Sequence, residues 1–281
     1  MPNADGTLTY YETLTAAINA VAESGYQSAE QIDYWADQIR RAAERSMRSE
    51  AEVERMVREA LAAVFKKQVD LGGVLRRNPG VTPYTLAQVR PELHAELSRR
   101  VAASIDLIKI NRPVAIAKTQ QRFRGWATSV PPGGAPDVKK TELKQDIRKA
   151  LAQLPFEERR VTIDQSAKLF SAINTTVAVN GGAIGGVWMS HKNQRGYNSR
   201  PDHNARDGKF YLVRGSWAQE AGLVKPGPAG YTDDVTQPAE EPFCKCSFAF
   251  VFSLRSVPDV CMTDKGREAL RAAREKIRNA A

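Results

Sequence analysis

At 281 residues, 42% hydrophobic and 26% charged, the chain is long enough for one large domain or two medium ones, each with a core of its own. Three cysteines, an odd and small number, exclude a disulfide framework, and the absence of any apolar run of about 18 residues excludes a membrane-spanning helix. Forty-one basic against 32 acidic side chains leave a net charge of +9, which favours an anionic partner, nucleic acid first.

The opening residues, MPNADGTLTYYETL, lack a charged stretch followed by an apolar one, so no signal peptide is expected and the chain is expected to fold in a reducing cytoplasm. Residues 1–68 read as three helices. Leu8, Tyr11, Leu14, Ile18 and Val21 recur at helical spacing before Gly25. SAEQ, from Ser28 to Gln31, has the form of a capping box and opens a helix with Ile32, Trp35, Ile39, Ala43 and Met47 on one face. SEAE, from Ser49 to Glu52, repeats it ahead of Val53, Met56, Val57, Leu61, Val64 and Phe65. Such stripes bury themselves on one another, so a helical bundle is expected. A glycine- and proline-rich break at 71–84 precedes a helical stretch at 91–126, where Pro113 predicts a kink or two helices. SVPPGGAPD, at 129–137, is the expected linker. Helices are predicted at 139–154 and 155–179.

Beyond Asn180 the texture changes to short strand-like pieces at 186–190, 209–213 and 247–254, and a basic helix at 263–279 closes the chain. The expected fold class is α+β: an N-terminal helical bundle (1–128), a linker (129–137), a smaller α+β domain with short antiparallel strands (138–262) and a basic C-terminal helix (263–281).

Four constellations carry chemistry. GGAIGG, at 181–186, lies between a helix and a strand, the reverse of a phosphate-binding order, and reads as a helix C-cap. His191, His203, Cys244 and Cys246 supply four zinc-type donors, although Cys-x-Cys is tighter than the usual spacing; such a zinc would be structural, and otherwise the chain needs no cofactor. SHKNQRGYNSRPDHN is loosely nuclease-like but has no pair of carboxylates for two metals, and no GxSxG hydrolase motif occurs. Arg267, Arg271, Arg274 and Arg278 fall on one face of the last helix and are candidate contacts for DNA phosphates or for an acidic partner. A second basic run holds Arg99, Arg100, Lys109, Arg112, Lys118, Arg122 and Arg124. Any nucleic-acid contact is expected to ignore base sequence.

RPDHNARDGK, at 200–209, reads physically as a turn-rich loop. Pro201 fixes φ, Asp202 and Asp207 accept from nearby backbone donors, and Gly208 permits a tight turn. Arg200 and His203 are placed to pin the loop to the cysteine-bearing strand.

Taken together, Trp188 and Ser190, then Arg200, Pro201, Asp202, His203, Ala205, Asp207, Gly208 and Lys209, then Cys244 and Cys246, resemble the C-terminal region of tailed-phage minor head proteins, the phage Mu F-like head morphogenesis family. The likeness covers residues 160–254, with Lys245 where the family pattern has arginine. It implies a non-enzymatic virion protein, present in several copies in the head interior or portal region after synthesis in a bacterial cytoplasm. Its implied partners are the portal or major capsid protein and packaged DNA, the latter through backbone contacts, with a role in head assembly and in DNA retention or delivery. The rival readings are a zinc-dependent or nuclease-like enzyme using His191 and His203, and a DNA-binding accessory protein.

Overall fold

The computed structural model describes residues 8–191, 193 and 195–280. The first seven residues of the expected bundle, Lys192 and Gln194 of the nuclease-like stretch, and Ala281 of the last helix lie outside it. The fold is α+β. Six helices come first: α1 (Tyr10–Ser24), α2 (Ala29–Ser46), α3 (Glu50–Gln68), α4 (Leu71–Arg77), α5 (Pro83–Ala127) and α6 (Lys140–Asn180). There follow β1 (Gly185–Met189), α7 (Pro201–Arg206), β2 (Phe210–Leu212), α8 (Trp217–Glu220), β3 (Ser247–Val251) and α9 (Asp264–Ala280). No helix among the described residues is long and apolar enough to cross a membrane.

Two compact units emerge: residues 1–56 with 104–161, and residues 57–103 with 162–281. These divisions fall within α3, α5 and α6 and differ from the expected ones at 128, 137 and 262. In the first unit, α1 and α2 start where side chains satisfy open backbone donors. Thr9 and Glu12 form a reciprocal box that the sequence reading passed over. Ser28 accepts from the Gln31 amide, but the Gln31 side chain takes the Gln27 amide instead of completing the box. At α3, Ser49 and Glu52 close theirs in both directions, at 2.9 and 3.2 Å. Leu14, Ile18, Val21, Ile32, Ile39, Phe123 and Ile147 then form one core.

Residues 129–137 are not a linker. Val130 is buried in that core, and the Ala135 amide donates to the Ala22 carbonyl at 2.8 Å. A Cβ at Gly134 would stand 2.4 Å from the same carbonyl oxygen. Glycine is there for close approach rather than for looseness.

Of the alternatives expected at Pro113, two helices are not found, and the two helices expected around Pro155 are one: α5 and α6 run through both prolines. Both prolines are exposed, on faces where water can reach the carbonyl that a proline leaves without its intrahelical donor. Buried side chains lie on either side of each proline, Ile108 and Ile116 around Pro113, Leu154 and Leu169 around Pro155.

The second unit holds an antiparallel sheet of order β2-β1-β3. Successive side chains of a strand face opposite ways, so the sheet is packed on both sides. Trp188, Tyr211, Phe248 and Phe250 belong to one cluster, Phe210, Leu212 and Val251 to another. The expected third strand stops at Val251; residues 254–256 form a 3-10 turn instead. Gly185 leaves room for the cross-strand Phe210 ring, which a Cβ would meet at 2.3 Å.

Candidate functional site

The residues singled out around His203 converge at the end of the sheet. Trp188, on central β1, is completely buried and meets Phe248 edge-on at 5.4 Å between ring centroids. His203 sits on α7, which Pro201 opens at its first position, and its ring meets Trp188 edge-on, also at 5.4 Å. Only 1% of His203 is exposed, against 1% and 2% for Cys244 and Cys246, whose segment leads into β3.

The imidazole faces two chemistries. Nδ1 lies 3.5 Å from the Sγ of Cys244 and 3.5 Å from that of Cys246. Nε2 makes no hydrogen bond but faces Glu241 Oε1 at 3.5 Å and Asp202 Oδ2 at 3.6 Å. The two thiols behave oppositely. The Cys246 thiol beside Cys244 pulls its pKa down to about 5 against the effect of burial, aided by the Cys246 amide. That same contact, with burial, pushes the Cys246 pKa up.

The surrounding frame is ionic and backbone-directed. Arg200 pairs with Glu241 at 2.8 Å and donates to the Pro242 carbonyl at 3.0 Å. Asp207 accepts from the Ser190 amide at 2.8 Å, as expected of it. Asp202 accepts from the Arg206 guanidinium at 3.1 Å rather than from a backbone donor, because α7 places the two four residues apart. Gly208 has φ +74° and follows α7, so the segment is a helical turn with a left-handed exit. Lys209 enters through its backbone: its carbonyl accepts from the Trp188 amide.

His191 is not drawn in. It is exposed, has φ +53°, and approaches Ser247 Oγ at 3.3 Å, so of the four metal donors expected, three come together. Asp164 and Glu241 were missed. Asp164, on α6, is buried, pairs with Lys168 at 2.8 Å and accepts from the Phe243 amide at 2.5 Å. That bond holds Phe243 at φ +60°, a strained turn directly before Cys244. An acid and a lysine four apart within an apolar helix stripe were the available signal. Glu241 had none, lying in an irregular stretch.

GGAIGG behaves as a C-cap: Gly182 has φ +84°, and the Gly181 amide bonds back to Val177. The basic run of α5 is largely spent internally. Arg99 and Arg100 hold Glu96, Lys109 holds Glu50, Arg112 holds Glu158, and Arg124 holds Asp33. On α9, Arg267 pairs with Asp264, whereas residues 271–279, including Arg271, Arg274 and Arg278, are exposed throughout.

Comparison with protein-family models, curated proteins and solved structures returns no match to this chain.

Proposed function

We propose that this chain is a virion structural protein of a tailed phage, a minor head protein associated with the portal or capsid interior, and not an enzyme. The observation that carries the reading is how the motif spends its polar side chains. Asp207 holds Ser190, Arg200 holds Glu241 and the Pro242 carbonyl, and His203 fills the space between Trp188 and two thiols. A general base must reach its substrate, and a histidine 1% exposed does not. The cavity of about 460 Å³ lined by Arg99, Arg100, Lys168 and Glu240 lies in the same unit, but Trp188, Arg200, Asp202, His203 and Asp207 are not in its wall.

The test is quantitative mass spectrometry of purified virions and proheads, scored against the portal protein. A fixed stoichiometry, in several copies, is the expected result. Absence of the chain from both particles overturns the reading.

The same reading places packaged DNA against the exposed arginines of α9. Guanidinium groups bind phosphates irrespective of base sequence, and each neutralised phosphate steepens the salt dependence of binding. Reversing Arg271, Arg274 and Arg278 to glutamate should flatten the slope of log affinity against log salt by about 3 on duplex DNA. An unchanged slope removes α9 from the contact.

A further inference from the structure

The structure assigns a zinc site to His203 Nδ1, Cys244 Sγ and Cys246 Sγ. The assignment goes beyond the head-protein reading and stands or falls without it.

Distance is the first argument. A tetrahedral zinc with bonds of about 2.3 Å to sulfur and 2.0 Å to nitrogen holds those ligands about 3.5 Å apart. Both sulfurs stand 3.5 Å from Nδ1, and the three donor atoms lie within 4.8 Å of one another. Hydrogen bonding accounts for only half of this. An imidazole nitrogen has a single in-plane lone pair and accepts from one thiol; Cys246 Sγ already has the Ser190 carbonyl to donate to, at 3.7 Å, so its 3.5 Å approach to Nδ1 is left over. One ion bonded to all three atoms uses every contact.

The far side of the ring supplies the second argument. Nε2 is buried, makes no hydrogen bond, and faces the Glu241 and Asp202 carboxylates. A carboxylate behind a histidine keeps the proton on that nitrogen and leaves the other free for a metal. These carboxylates are held by Arg200 and Arg206, so they orient the ring rather than compete as ligands. On the sulfur side, the Cys246 amide donates to Cys244 Sγ at 3.4 Å, stabilising a thiolate.

Ligand chemistry sets the ion. Two thiolates and an imidazole select zinc over magnesium or calcium, which take oxygen ligands. Loading displaces whatever thiol protons the cysteine pair still carries, and an oxygen completes the four ligands. The Tyr197 and Ser199 hydroxyls both lie alongside Cys246, so a hydroxyl or a water on that side is the candidate fourth ligand. The ion would tie α7 to the segment entering β3, a link that exists only in the folded chain.

The experiment uses the untagged full chain, stripped with chelator under reducing conditions, reloaded with zinc and dialysed. About one zinc per chain is expected by elemental analysis. Cobalt(II) added to the stripped protein should produce a thiolate-to-cobalt charge-transfer band that Cys244→Ser/Cys246→Ser lacks. Retention of zinc by His191→Ala supports the ligand set, and its loss there overturns it. The cysteine variant also removes two buried core residues, so the wild-type result decides. A folded wild-type chain with less than about one zinc per four chains and no cobalt–thiolate band overturns the site. Metal in a chain absent from virions would instead sink the head-protein reading alone.

Discussion

Trp188→Ala should destabilise the sheet-bearing unit by about 4 kcal/mol, the upper range for an emptied core site. The indole is completely buried and contacts His203, Tyr211 and Phe248 at centroid distances of 5.4, 6.5 and 5.4 Å. The strand itself offers little to fill the gap, because β1 is paired on both edges and Gly186, two residues away, has no side chain to shift. Urea unfolding followed by circular dichroism measures the loss, with a fall in melting temperature of about 10 °C as its thermal counterpart. Trp188→Phe should recover most of it. A loss below about 1 kcal/mol would mean that the cluster around the motif does not hold the sheet.

His203→Ala should cost about 3 kcal/mol, combining a cavity against Trp188 with the loss of the thiol partner. Measured with chelator present, this isolates packing from any bound ion. The exposed His191 gives the control: His191→Ala should change stability by less than about 0.5 kcal/mol. The thiols of Cys244 and Cys246, 1% and 2% exposed in the native chain, should react with a thiol reagent far faster in the His203 variant. Unchanged stability and unchanged thiol reactivity would return His203 to the enzyme reading and make it the residue to test for chemistry.

Much of this arrangement is legible in the sequence. The caps at Ser28 and Ser49 announce helices because capping is local, involving atoms three residues apart. The alternating aromatics of SFAFV announce β3 for the same reason. Proline was overread: Pro113 and Pro155 break a helix in isolation, but each lies on a wet face of a helix pinned by buried residues on both sides. In 129–137, Pro and Gly looked like slack, yet Gly134 is what lets the chain close on Ala22. The site was half legible. His203, Cys244 and Cys246 share donor chemistry visible in their letters, but which histidine joins them depends on α7 turning one inward while His191 stays at the strand's exposed end. Glu241 and Asp164 act across long sequence separations, as in the Asp164 bond to Phe243, and no periodicity reports that.

The sheet's strand order also sets a schedule for the ribosome. β1 is the central strand but the first of the three to be made, and β3 ends only at Val251. At about 5–20 residues per second, one edge of β1 waits several seconds for its partner, carrying Trp188 uncovered by Phe248. The newborn chain must shelter an adhesive edge through that interval, so its yield in a cell depends on chaperone supply and translation speed as well as on the stability of the finished fold.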